Sequence, residues 1–69
     1  MTQKEMILQH LKKFGSITQK DAMDNYGIMR LGARVYDLKG EGYPISKEME
    51  CGTNRFGRAV AYARYLLKI

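Results

Sequence analysis

The chain has 69 residues, enough for one small domain but too few for the two-lobed or barrel architectures of most enzymes. Lysine and arginine number 12 against 7 aspartate and glutamate residues, which gives a formal net charge of +5. This excess favours a polyanionic partner, with solubility as the alternative role for the charge. We expect a single domain over residues 1–69.

The composition argues against several other classes of protein. Apolar stretches fall short of the roughly 20 residues that a membrane helix needs, and charges interrupt the N-terminal segment where a signal peptide would be continuous. Cys51 has no second cysteine, and His10 is the single histidine, so no zinc-ligand set is expected. With no catalytic motif and little room for a cavity of about 300 Å³, we expect a cytoplasmic, non-enzymatic protein without cofactor, metal or small-molecule ligand.

A capping box marks the start of the first predicted helix. Thr2 and Glu5 have the Thr-x-x-Glu spacing in which each side chain accepts a hydrogen bond from the other residue's backbone. Gly15 is the expected end, and His10 is expected to be a half-buried packing residue. The apolar positions at helical spacing are Ile7, Leu8, Leu11 and Phe14. Together these features predict a helix of about three turns.

A second, shorter helix is predicted after a short extended link at Ser16 and Ile17. Thr18 and Asp21 repeat the capping pattern. The apolar residues that would share one face of this helix are Ala22, Met23 and Tyr26. Gly27 ends it, and the next helix is expected to start only about one or two residues later.

A third helix would place Leu31, Val35 and Leu38 on its core face. Two short helices joined by a tight glycine-containing turn form a helix-turn-helix outline. Ala22 and Gly27 are five residues apart rather than the commoner four, which leaves the register of the third helix open by about one residue.

The periodicity then changes from helical to the two-residue alternation of a strand. Residues on one side of this strand are Tyr43, Ile45, Lys47 and Met49. Pro44 suits the first residues or the edge of a strand. After a loop of turn residues, residues 59–65 are predicted to return as an antiparallel strand, although their alanines and the leucines that follow also suit a helix.

Three helices followed by a two-stranded antiparallel hairpin resemble the winged helix-turn-helix fold, an α+β architecture with room for a short extra strand near residue 17. Residues 17–22, 30–38 and 42–45 resemble a family of small helix-turn-helix proteins of phages and low-GC Gram-positive bacteria (Firmicutes). The most specific block is residues 33–45, where an Arg-apolar-x-Asp-Leu helix leads into Gly-Tyr-x-Ile. The resemblance implies transcriptional regulation or a phage accessory role such as excision control.

The third helix would present a flat, partly cationic surface away from the core. Met29, Ala33, Tyr36 and Gly40 lie opposite the core face of an ideal helix, with Arg30, Arg34 and Asp37 along one flank. Arg30 and Arg34 suit guanine or phosphate contacts, and Tyr36 suits a sugar or phosphate. Each of two residues also has an alternative role: Arg34 could form an ion pair with Asp37, and Tyr36 could cover the hydrophobic core.

Positive charge also concentrates near the C-terminal end. Residues 51–69 contain Arg55, Arg58, Arg64 and Lys68 and no acidic residue. Asn54, Arg55 and Arg58 sit at or beside the predicted loop tip, where a hairpin can reach a DNA backbone or minor groove. Phe56 is expected to fold back onto the sheet, since an exposed phenylalanine there would mean a partner surface.

These features predict sequence-specific binding of double-stranded DNA, with the third helix in the major groove and the hairpin on the backbone. Thr18 and Lys20 begin the second helix, whose N-terminal amides suit a DNA phosphate, while Thr18 also fits a purely capping role. A homodimer or cooperative binding would strengthen one small module. The alternative is a protein-interaction adaptor, which exposed apolar side chains at Met29, Phe56 and Leu66 would favour.

Overall fold

The computed structural model describes residues 1–68. Its helices are α1 (Gln3–Phe14), α2 (Gln19–Tyr26) and α3 (Leu31–Gly40). Its strands are β1 (Ser16–Thr18), β2 (Ile45–Thr53) and β3 (Ala59–Leu67), which form one antiparallel sheet in the order β1-β3-β2. The α+β prediction of three helices, a hairpin and a short strand near residue 17 is confirmed.

Both predicted capping boxes are formed. The Thr2 hydroxyl accepts a hydrogen bond from the Glu5 N–H at 3.2 Å, and the Glu5 carboxylate accepts one from the Thr2 N–H. The bonds to Thr2 lower the pKa of Glu5 because they favour its ionised form. Thr18 and Asp21 make the same pair of bonds at the start of α2, at 3.2 and 3.0 Å. These local bonds satisfy N–H groups that have no partner within the helix.

The core lies between the three helices and the inner face of the sheet. Its buried side chains are Ile7, Leu11, Ile17, Ala22, Ile28, Leu31, Val35, Leu38 and Ile45. Phe14 and Met23 were predicted on the apolar faces of their helices, but both are exposed, Phe14 to 62%. The centroid of the Phe14 ring lies 4.6 Å from that of His10, with the rings tilted by 46°, and His10 is buried rather than half-buried.

The turn between α2 and α3 is longer than predicted. Residues 27–30 separate the two helices, rather than one or two residues. Gly27 adopts a left-handed conformation with φ of 66°, which glycine allows without steric cost, and its N–H bonds to the end of α2. Ile28 then turns fully inward. Met29 and Arg30 therefore precede α3, which corrects their predicted placement on the helix.

Residues 59–67 form a strand, so the helical alternative for this segment is wrong. β3 pairs with β2 from Ile45 opposite Leu67 to Thr53 opposite Ala59. β2 begins two residues later than the predicted alternation, since Tyr43 and Pro44 precede it. β1 pairs only with residues 64–66 of β3. Beyond β1 the sheet continues as a two-stranded arm, residues 49–63, which we call the distal hairpin.

Replacement of the two capping threonines tests whether the local capping bonds stabilise the helices. We expect Thr18→Ala to lower the free energy of unfolding by about 1–2 kcal/mol, because Thr18 is 6% exposed and water replaces its bond poorly. Thr2→Ala, in a capping box that is exposed to solvent, should lower the free energy of unfolding by about 0.5–1 kcal/mol. Thermal denaturation followed by circular dichroism measures both, at about 4–8 °C per kcal/mol. A Thr18→Ala protein with the wild-type melting temperature would contradict this account.

Candidate nucleic-acid interface

The face of α3 that points away from the core is small and accessible. Leu31, Val35 and Leu38 are buried, and Tyr36 on the far side is 78% exposed. The Tyr36 ring therefore does not cover the core, which was the alternative considered for it. Ala33 is half-buried, and a Cβ built on Gly32 would lie 3.4 Å from the Tyr65 hydroxyl. The side chain of Tyr65 in β3 thus reaches the first turn of α3.

Arg34 lies on the flank of α3 that faces α1. Its Nη1 is 3.7 Å from Asp37 Oδ2, so the ion pair considered as an alternative is present. The Arg34 Nε is buried and has no hydrogen-bond partner among residues 1–68. On the same flank Lys4 of α1 bonds to Glu41, which raises the pKa of Lys4. Arg34 is consequently half-buried and partly neutralised.

Met29 and Arg30 stand at the N-terminal end of α3, where both remain accessible. Met29 is 73% exposed, and Arg30 is exposed at the N-cap position without a side-chain capping bond. Both line a cleft of about 210 Å³ together with Gln3 and Arg34. Of the two arginines predicted to contact bases, Arg30 is therefore the more available.

Gln19 fixes the start of α3, a role that the sequence analysis missed. Its Nε2 donates to the Ile28 carbonyl at 2.7 Å, and its Oε1 accepts from the Leu31 N–H at 3.1 Å. Arg30 supplies no cap, so the first residue of α2 performs this function for α3. Its partners are nine and twelve residues away, and no local spacing signals this contact.

A rigid turn closes the distal hairpin at residues 54–58. The Asn54 N–H bonds to the Arg58 carbonyl and the Gly57 N–H to the Asn54 carbonyl, at 2.9 and 3.0 Å. The Asn54 Oδ1 accepts from the Phe56 and Arg58 N–H groups, also at 2.9 and 3.0 Å. Gly57 takes the left-handed conformation that the turn requires, with φ of 77°. Asn54 is therefore occupied in shaping the turn, with Arg55 and Phe56 at its apex.

A family model described as a winged helix-turn-helix domain matches residues 2–68. The chain belongs to this family. No curated protein matches the chain. Membership points to DNA binding as the general function, and it identifies β2, β3 and their turn as the wing of the domain.

The basic residues of the wing lie in two places, near its base and at its tip. Arg64 Nε donates to Glu50 Oε1 at 2.9 Å and its Nη1 to Ser16 Oγ at 3.0 Å, so Arg64 ties the wing to β1. The bond to Glu50 raises the pKa of Arg64. Lys68 lies at the base, where its N–H donates to the Pro44 carbonyl. Arg55 and Arg58 are the cations at the tip of the wing, and within residues 1–68 no carboxylate lies within 4.0 Å of either.

Phe56 projects from the tip of the wing and does not fold back onto the sheet, so that expectation is wrong. Its side chain is 88% exposed. The reason is its place at the apex of a β-turn, where its own N–H is bonded to Asn54 and no strand lies beneath the ring. The wing thus ends in one exposed aromatic ring between two arginines.

The two candidates at the start of α2 differ in availability. Thr18 is buried and its hydroxyl is occupied by the Asp21 N–H, whereas Lys20 is exposed. Lys20 Nζ lies 3.3 Å from Asp24 Oδ2, an exposed pair of the kind that contributes about 0.3–0.5 kcal/mol. Such a pair leaves the ammonium group free to exchange Asp24 for another anion.

The described part of the chain also contains a cleft larger than expected. It has a volume of about 540 Å³, lies between α1 and α2, and is lined in part by His10, Phe14 and Tyr26. The Tyr26 hydroxyl lies 2.7 Å from His10 Nδ1.

Among residues 1–68 no three His, Cys, Asp or Glu side chains are grouped to hold a metal ion. No helix in that range is both long and apolar enough to cross a membrane.

The bridging role of Gln19 predicts that its loss lowers the stability of the domain. Gln19→Ala leaves the buried Leu31 N–H and the Ile28 carbonyl without their side-chain partner, so we expect a loss of about 1–2 kcal/mol in the free energy of unfolding. Gln9, exposed on α1, provides the matched control, and Gln9→Ala should stay within about 0.5 kcal/mol of wild type. Urea denaturation of both variants is the measurement, and equal stability of the two would contradict the role of Gln19.

Proposed function

We propose that this winged helix-turn-helix domain binds double-stranded DNA sequence-specifically, with α3 in the major groove and the tip of the wing on the flanking backbone. The observation that carries the proposal is the pairing of an exposed, small-residue face on α3 with a wing tip whose two arginines have no carboxylate within ion-pair distance in the described residues. The described surface thus has two separate regions, the outer face of α3 and the tip of the wing, that one extended polyanion can contact.

The shape of α3 supports its entry into the major groove, which is wide enough for a helix. Ala33 and Gly40 are small residues opposite the core face, so the backbone beside Tyr36 can approach base edges closely. Arg30 at the N-terminal end has the geometry for a bidentate contact with guanine, and Tyr36 can donate to a phosphate. We assign Arg34 a secondary role, because contact with DNA would have to compete with Asp37.

Phosphate contacts are assigned to the tip of the wing and to the start of α2. Arg55, Arg58 and Lys20 are exposed cations, and Met29, Thr18 and Asn54 would shape the surface around them. One module of this size buries about 600–1,000 Å² on DNA, so binding as a homodimer or cooperatively at adjacent sites would supply the affinity that regulation needs. The cellular role would be that of a cytoplasmic, non-catalytic transcriptional regulator or phage accessory protein.

Selection from a random pool of duplexes tests the proposal. The enriched site and a scrambled duplex are titrated with the full chain at two salt concentrations. We expect the enriched site to bind at least about 10³ times more tightly than the scrambled duplex. Equal affinity for both duplexes would contradict sequence-specific binding.

Two arginine substitutions separate base contacts from phosphate contacts. Arg30→Ala should weaken binding to the enriched site by about 1–3 kcal/mol more than binding to the scrambled duplex. Arg58→Ala should weaken both alike and reduce the slope of log affinity against log salt by about one. Lys12→Ala, which removes an exposed cation from α1, is the control and should leave the slope unchanged. The assignment fails if Arg30→Ala affects both duplexes equally.

An adaptor that binds another protein is the second candidate function. Exposure of Met29 and Phe56 favours it, whereas Leu66 is half-buried. The two functions differ in salt dependence, since phosphate contacts release counterions and an apolar protein interface does not. Duplex binding that is absent at low salt would favour the adaptor.

A further inference from the structure

We propose that Phe56 is a wedge that inserts between base pairs of the minor groove beside the site of α3 and bends the duplex. The proposal rests on the proposed function, because it requires that the domain binds double-stranded DNA. It assigns to one side chain a role in DNA deformation that is distinct from the charge contacts of its neighbours.

The first support is the position of Phe56 on a hydrogen-bonded turn. Four hydrogen bonds centred on Asn54 hold the turn, and one of them engages the Phe56 N–H itself. The ring is nevertheless the most exposed of the large apolar side chains that lie on the surface of residues 1–68. A rigid backbone that carries an exposed ring loses little conformational entropy when the ring enters a binding site.

The second support is the charge around the ring. Arg55 and Arg58 flank Phe56, and residues 51–69 contain no acidic side chain. Glu50 is the nearest acidic residue on β2, and it is bonded to Arg64. The tip of the wing therefore presents an apolar group inside a positive field, which favours a polyanion with apolar surfaces between its charges. Stacked base pairs bordered by phosphates have this arrangement.

The third support is the size and reach of the distal hairpin. Residues 59–63 extend beyond β1, which at about 3.3 Å per residue is about 17 Å. Half of a DNA helical turn, the distance between a major groove and the adjacent minor groove, is also about 17 Å. The exposed Phe56 side chain at the turn is of the kind that inserts between base steps from the minor groove. With α3 in the major groove, the ring would reach the next minor groove.

The test measures bending and base unstacking directly. The full chain is bound to the enriched duplex, which carries a dye at each end and 2-aminopurine placed in turn at each flanking step. We expect the wild-type protein to raise 2-aminopurine fluorescence at one step and to bend the duplex by about 20–90°. Phe56→Ala should abolish both signals and weaken binding about tenfold, with an unchanged salt slope because both arginines remain.

Two further variants make the test specific to the ring. Phe56→Leu retains an apolar wedge and should restore most of the bend. Phe14→Ala removes another exposed phenyl ring, the last residue of α1, and should leave bend and affinity unchanged. Circular dichroism confirms that each variant is folded.

Four outcomes would overturn the wedge. Specific binding by the wild-type protein without a bend or an unstacked step overturns it and leaves the proposed function intact. An unchanged bend in Phe56→Ala, or a reduced salt slope in place of a reduced bend, also overturns it, since the ring would then only position the arginines. Absence of any duplex binding by the wild-type protein contradicts the proposed function, and the wedge with it.

Discussion

The short pairing of β1 with β3 is the interaction on which the arrangement of this domain depends. Ser16, Ile17 and Thr18 link α1 to α2, and the same residues pair with residues 64–66 of the wing. Ile17 is fully buried and shares one core with Leu31 of α3. One three-residue strand therefore joins all three helices to the hairpin. Without it the hairpin would have no third strand and would be held to the helices mainly by the packing of Ile45, Tyr65 and Leu67 at its base.

Two polar side chains extend this link towards the proposed interface. Arg64 connects Glu50 of β2 to Ser16 of β1, and Gln19, one residue after β1, holds the turn that precedes α3. Both help to position the proposed contact surfaces on α3 and on the wing. A domain of this size buries only about 60% of the surface of its unfolded chain, so a few well-placed polar bonds carry much of its geometry.

The sequence predicted most of the fold because many of its determinants are local. Capping boxes act over three residues, and the buried positions of α3 repeat every three or four residues. The candidate interface was predicted in outline only. Phe56 was expected to fold back onto the sheet, and its exposure follows from a turn whose bonds leave the ring beyond the last strand pair. Charge counted along the sequence does not show which cations are paired, and Arg64 is bonded to Glu50 of the opposite strand.

The sequence by itself determined the order of the elements, the three helices and the core face of α3, since these depend on neighbours within about one helical turn. Tertiary structure alone decided that the alanine-rich residues 59–67 are a strand, because β2 on one side and β1 on part of the other satisfy their backbone. It also decided which cations remain available. Gln19 meets Leu31 across 12 residues and Arg64 meets Ser16 across 48, and contacts of such separation exist only once the chain has folded.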